Sequence, residues 1–83
     1  MTPRVSIVIP AYNEGAEIVR CLDRVLEAVR LPCEVIVVYD TETDTTLPYL
    51  HAYADKEPRL RPLHNTYGRG PAHAIHFGID VAS

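Results

Sequence analysis

Between Arg4 and Pro10 almost every position is apolar, and Val5, Ile7, Val8 and Ile9 are all β-branched. A run that is apolar on both faces predicts a strand of a parallel sheet over residues 4–10, covered on both sides. Pro10 has no N–H to donate to a ladder and is expected to end the strand. The period then changes. Ile18, Leu22, Val25, Leu26 and Val29 form one helical stripe, with Arg20, Asp23, Arg24 and Glu27 on the opposite face. Asn13 is the expected cap of this helix, which places Glu14 and Glu17 in its positive first turn, and Pro32 stops it.

The same alternation repeats twice. Val35 to Val38 make a second buried strand within residues 34–40, followed by a polar turn from Thr41 to Thr46. Asp44 is the expected cap of a second helix. Pro48 falls in its first turn, Leu47, Leu50 and Ala54 make its thin apolar stripe, and it ends near Lys56-Glu57-Pro58. Residues 59–64 alternate weakly through Leu60, Pro62 and Leu63 and predict a short third strand. Gly68-Arg69-Gly70-Pro71 is a tight loop with Pro71 at a favoured first helical position. In the helix that follows, Ala72, Ile75, Ile79 and Ala82 share one face.

The order βαβαβα with short connections predicts an α/β, Rossmann-like parallel sheet. Right-handed crossovers place its strands in the order 3-2-1. The first strand then has an open edge that a further strand would normally cover. The sequence therefore reads as the front part of a longer protein, one that forms a homodimer through this edge when isolated.

Composition narrows the partners. The 83 residues, 9.3 kDa, suit one small domain, and 8 Lys plus Arg against 11 Asp plus Glu leave a net charge of −3. That balance argues against nucleic acid as the main partner and leaves room for an anionic ligand held by a local cation. No apolar run approaches the ~20 residues of a membrane span, and Met1-Thr2-Pro3-Arg4 lacks the features of a signal peptide. Cys21 and Cys33 do not make a disulfide framework and read as reduced thiols of a cytoplasmic protein.

Ligands of open parallel sheets bind at the carboxyl ends of the strands. Three polar clusters converge there: Pro10 to Glu14, Tyr39 to Asp44, and His64 to Gly70. Gly68-x-Gly70 follows the wrong strand and lacks the third glycine of a dinucleotide fingerprint. A Walker loop, a Gly-x-Ser-x-Gly elbow and a Cys/His nucleophile pair are all missing from the sequence. His73 and His76 share a helix face with no local carboxylate or cysteine beside them, so they read as solvated surface. No catalytic or metal-ligating residue is assigned.

The clusters also carry a resemblance. Val5-Ser6-Ile7-Val8-Ile9-Pro10-Ala11-Tyr12-Asn13-Glu14 resembles the opening of the family 2 inverting glycosyltransferases, whose first strand ends in Pro-x-Tyr-Asn-Glu. That family's second strand commonly ends in Asp-Asp-Gly-Ser-x-Asp. Here the segment is Tyr39-Asp40-Thr41-Glu42-Thr43-Asp44, which keeps the second and last aspartates and departs at the first aspartate, the glycine and the serine. Asn65-Thr66-Tyr67-Gly68-Arg69-Gly70-Pro71-Ala72 is similar to the family's Asn-x-Gly-Lys/Arg-Gly-x-Ala with one extra residue. The resemblance covers essentially the whole chain. It implies the front part of a GT-A fold, similar to the polyprenol-phosphate sugar synthases.

The resemblance also implies roles. Pro10 and Tyr12 shape the slot for base and ribose, and Glu14 is the motif acid near the nucleotide. Val38 lies against the base, Asp40 accepts its imide N–H, and Arg69 neutralises part of the diphosphate or stacks near the base. The chemistry suits them: a carboxylate only accepts, and an arginine flanked by glycines lets backbone and cation approach phosphate closely. The implied partners are a nucleoside-diphosphate sugar and an acceptor such as a polyprenyl phosphate or a glycan. A divalent metal, Mg or Mn, is implied for the full enzyme, with its ligands and the catalytic base beyond Ser83, so the fragment itself is expected to be inactive. Plainer readings stand beside these roles. Tyr12 packs, Glu14 is a first-turn charge, Asp40 forms an Asx turn, Asp44 is only a cap, Arg69 is a loop charge, and Gly68 and Gly70 serve the turn. A second function class also stays open, a non-catalytic α/β module that pairs through its open sheet edge.

Overall fold

The computed structural model describes residues 4–68 and 70–82. Its elements run β1 (Val5–Ala11), α1 (Glu17–Ala28), β2 (Cys33–Tyr39), α2 (Leu47–Ala54), β3 (Leu60–His64) and α3 (Pro71–Val81). The three strands form one parallel sheet in the order β1-β2-β3, with Val5 opposite Cys33 and Val35 opposite Leu60. This is the 3-2-1 arrangement that right-handed crossovers require.

The β-branched runs are strands because each face of the sheet is covered. Val35, Val37 and Tyr39 point to one side and pack with Ile18, Leu22 and Leu26 of α1 and Leu47 and Leu50 of α2. Ile36 and Val38 point to the other side and pack against Ala74, Phe77 and Val81 of α3. Every residue of β2 is buried, so this strand carries no polar side to mark it. Its single charge, Glu34, is 5% exposed and is met by the Arg61 guanidinium and the Ser6 hydroxyl.

Three details differ from the expectation, each for a visible reason. Strand β1 runs through Pro10 to Ala11. Val5 donates its N–H to Pro32 on the β2 side, and donors alternate along a strand. The nitrogen of Pro10 therefore faces the open edge, where a missing N–H costs no ladder bond. Asn13 does not cap α1. It stands at φ 47, and α1 begins only at Glu17, which leaves Glu14 in the turn before the helix. In α3 the buried side is Ala74 and Gly78, flanked by Phe77 and Val81, while Ile75 and Ile79 are 40% and 61% exposed. Gly78 explains the rotation: without a Cβ it lets the helix backbone settle onto Val8 of β1.

Candidate functional site

The carboxyl ends of β1 and β2 and the start of α3 enclose a cleft of about 700 Å³. Its walls come from three places: Pro10 to Glu14 after β1, Asp40, Thr41 and Thr43 after β2, and Gly70, Pro71 and Ala74 at the start of α3. Two of the polar clusters anticipated from the sequence supply most of the lining, and the third contributes through Gly70. A parallel sheet places a ligand at this end because all its strands point there and the loops diverge around it.

Tyr12 is 74% exposed at the mouth of the cleft, so its ring is not a packing residue. Pro10, half-buried, and Glu14, exposed, also line the cleft. Asp40 lines the cleft and reaches across to the β3–α3 loop. One carboxylate oxygen accepts Asn65 Nδ2 at 2.8 Å and the other accepts the Gly70 N–H at 3.0 Å. Each oxygen keeps a second lone pair for a ligand donor. The bonds run to another loop, which sets the Asx-turn reading aside. Val38 is fully buried in the α3-side core beside Ile36 and Ala74, and it is not among the residues that line the cleft. Arg69 lies outside the described residues.

Two further groups organise the site. Asn65 is 7% exposed, and besides binding Asp40 it donates to the Gly68 carbonyl and accepts the Tyr67 N–H at 2.9 Å. One amide therefore ties Asp40 to Tyr67 and Gly68. Its signal in the sequence is an asparagine directly after a strand, since that side chain both donates and accepts. Asp44 is 4% exposed. It does not cap α2, which begins at Leu47 with Thr46 at the N-cap position and no side-chain cap bond; Asp44 accepts the Thr46 N–H at 2.7 Å in the turn before the helix and also the Asn13 N–H at 3.0 and 3.1 Å from the neighbouring loop. The second contact cannot be read from local sequence because it spans 31 positions.

Burial pushes the Asp44 carboxyl up, but hydrogen bonds from Thr46 and from the Asn13 and Thr46 backbone outweigh this and hold it below the ordinary value of 3.8. A depressed carboxylate stabilises the fold above its unfolded value and loses that contribution as pH falls through its folded value. Thermal melting should therefore show a gap between the native protein and an Asp44→Asn variant that is full at neutral pH and shrinks as pH drops below 3.8. A gap that stayed constant down to strong acid would contradict this role.

The histidines are not drawn into the cleft. His64 Nε2 lies 2.9 Å from the Asp40 carbonyl, and its ring stacks on Tyr39. His73 and His76 are exposed on α3, with His76 3.4 Å from Asp80. Among the described residues no three His, Cys, Asp or Glu side chains come together in a way that could hold a metal ion.

The model of a family described as "Glycosyl transferase family 2" matches residues 6–83. Glycosyltransferase GlyG of Streptococcus pneumoniae is 34% identical over 82 residues, which is 99% of this chain and 27% of that protein. Chondroitin synthase of Pasteurella multocida is 36% identical over 80 residues, 96% of this chain and 8% of that protein. Among solved structures, a mannosyltransferase of Pyrobaculum calidifontis in complex with GDP-Man and Mn2+ matches with a TM-score of 0.81 at 33% identity, over 100% of this chain and 25% of that one. The chain spans about a quarter of the length of the first curated relatives it matches.

Proposed function

Because the chain belongs to glycosyl transferase family 2 and has the α/β architecture of a GT-A fold, we propose that it forms the donor-nucleotide floor of a glycosyltransferase. The observation that carries this reading is the convergence of Tyr12, Glu14 and Asp40 from two strand ends on one cleft beside the start of α3. An exposed ring, a carboxylate with spare acceptor positions and a glycine-bounded loop suit a base, its imide N–H and a diphosphate, in that order. Tyr12 lies against the base or ribose, with Pro10 below it, and Asp40 takes the base N–H. Glu14 stands near the nucleotide, and Arg69 neutralises part of the diphosphate or stacks near the base.

The whole protein, in this reading, moves the sugar to an acceptor with inversion. The acceptor oxygen bonds to the anomeric carbon as the bond to the nucleoside diphosphate breaks, in one displacement. The leaving group carries away the electron pair, and in the whole protein a divalent metal held by residues outside this segment would stabilise that charge. The ligands of that metal and the base that takes the acceptor proton belong to parts of the protein outside these 83 residues, so this segment by itself is inactive. The acceptor is a polyprenyl phosphate or a glycan, and the enzyme works in the cytoplasm. No helix among the described residues is long and apolar enough to cross a membrane.

Titration of the full-length protein with GDP and with UDP tests the reading. One of the two should bind, and Tyr12→Ala should weaken it by about 1–3 kcal/mol, the usual worth of a base–aromatic stack. Binding of neither nucleotide, or equal binding by native protein and Tyr12→Ala, would overturn the assignment of this cleft.

A further inference from the structure

The β1–α1 loop passes through Asn13 at φ 47 and Gly15 at φ 56. The first is a backbone conformation that residues other than glycine seldom adopt, although asparagine tolerates it best. The neighbouring loop holds it there. The Asn13 N–H donates to both oxygens of Asp44, and the Glu14 N–H donates to Thr46 Oγ1 at 2.9 Å. In return the Thr45 N–H donates to Asn13 Oδ1 at 3.2 Å. Asp44 and Thr46 are themselves buried, and the Thr46 N–H fixes the carboxylate from behind.

A local turn before α2 would need only the bond from the Thr46 N–H to Asp44. The remaining bonds tie two loops about thirty positions apart. Between Ala11, which is locked in the sheet opposite Tyr39, and the clamped Asn13 stands Tyr12. Its ring is open to the cleft, so the backbone on either side sets its direction.

We propose that Asp44 and Thr46 are positioning residues that aim Tyr12 and Glu14 at the nucleotide by clamping the backbone N–H groups of Asn13 and Glu14. This inference rests on the donor-nucleotide reading of the cleft. The clamp fixes the loop before the ligand arrives, so binding does not pay for ordering it. Neither residue lines the cleft.

The test uses the full-length protein with Thr46→Val, which keeps the buried shape and removes the hydroxyl that accepts from Glu14 and bonds Asp44, and with Thr46→Ser, which keeps the hydroxyl. Amide hydrogen exchange at Asn13 and Glu14 and affinity for GDP and UDP are measured well below the melting temperature. In Thr46→Val the Glu14 amide should exchange faster while the β2 amides keep their protection, and nucleoside-diphosphate affinity should fall about tenfold. Thr46→Ser should restore both. Unchanged Glu14 exchange in Thr46→Val would show that the clamp is not the restraint. Faster exchange with unchanged affinity would show that the clamp is structural only. If the native protein bound neither nucleotide, the donor reading would fall and the positioning role with it, whereas the exchange measurement would still report on the clamp.

Discussion

Replacing Asp40 with alanine is expected to weaken nucleoside-diphosphate binding about a hundredfold, or ~3 kcal/mol, the size of a lost pair of hydrogen bonds to a charged group. Two losses combine. The acceptor proposed for the base N–H disappears. Asn65 Nδ2 and the Gly70 N–H also lose their shared partner, so the turn that delivers Gly70 and Pro71 to the cleft is released. Asp40→Asn should be nearly as damaging. An asparagine side chain offers one oxygen and one NH2, and the NH2 would face a donor at either Asn65 or Gly70. Calorimetric titration of the full-length variants reads the effect, and a cooperative thermal transition confirms that the fold survives. An Asp40→Asn protein with native affinity would show that the carboxylate serves neither role.

Gly78→Ala is expected to destabilise the protein by about 1–2 kcal/mol, although alanine is the better helix former. Gly78 lies in the middle of α3 on its buried side. A Cβ there would clash with Val8 Cγ1 and stand 3.1 Å from Cγ2. The propensity gain is at most ~1 kcal/mol, whereas overpacking costs ~1–3 kcal/mol. Val8 has little freedom to turn aside because β-branching stiffens χ1. Equilibrium denaturation checks the direction. Adding Val8→Ala should recover part of the loss, giving a favourable coupling between the two positions. Because α3 also carries Pro71 and Ala74 into the cleft, lifting the helix should weaken nucleotide binding as well. Native stability in Gly78→Ala would mean that α3 does not rest on β1 as closely as described.

The elements that were legible in the sequence are those whose signal is local and repeated. The doubly apolar runs of β1 and β2 and the Ile18, Leu22 and Leu26 stripe of α1 appear in the fold where periodicity places them. Strand alternation with helices left one sensible sheet order, and the sheet has it. The motif residues Tyr12, Glu14 and Asp40 meet in one cleft because parallel strands necessarily deliver their ends to the same edge.

Where the sequence misleads, the deciding contact lies far along the chain. Asn13 looks like a helix cap, but its N–H and its side chain are taken by Asp44 and Thr45. In α3 the isoleucines suggest one buried face. A glycine selects another, because helix–sheet distance rewards the smallest residue at the closest approach, and hydrophobicity alone does not encode distance. Val38 follows the same logic: its motif position suggests a ligand contact, and the arrival of α3 over β2 covers it. Periodicity and strand chirality, which act over a few residues, determined the architecture and the edge where the cleft lies. Only tertiary packing decided which polar side chains face that cleft and which are spent holding its loops, because a hydrogen bond between loops thirty residues apart has no local signature.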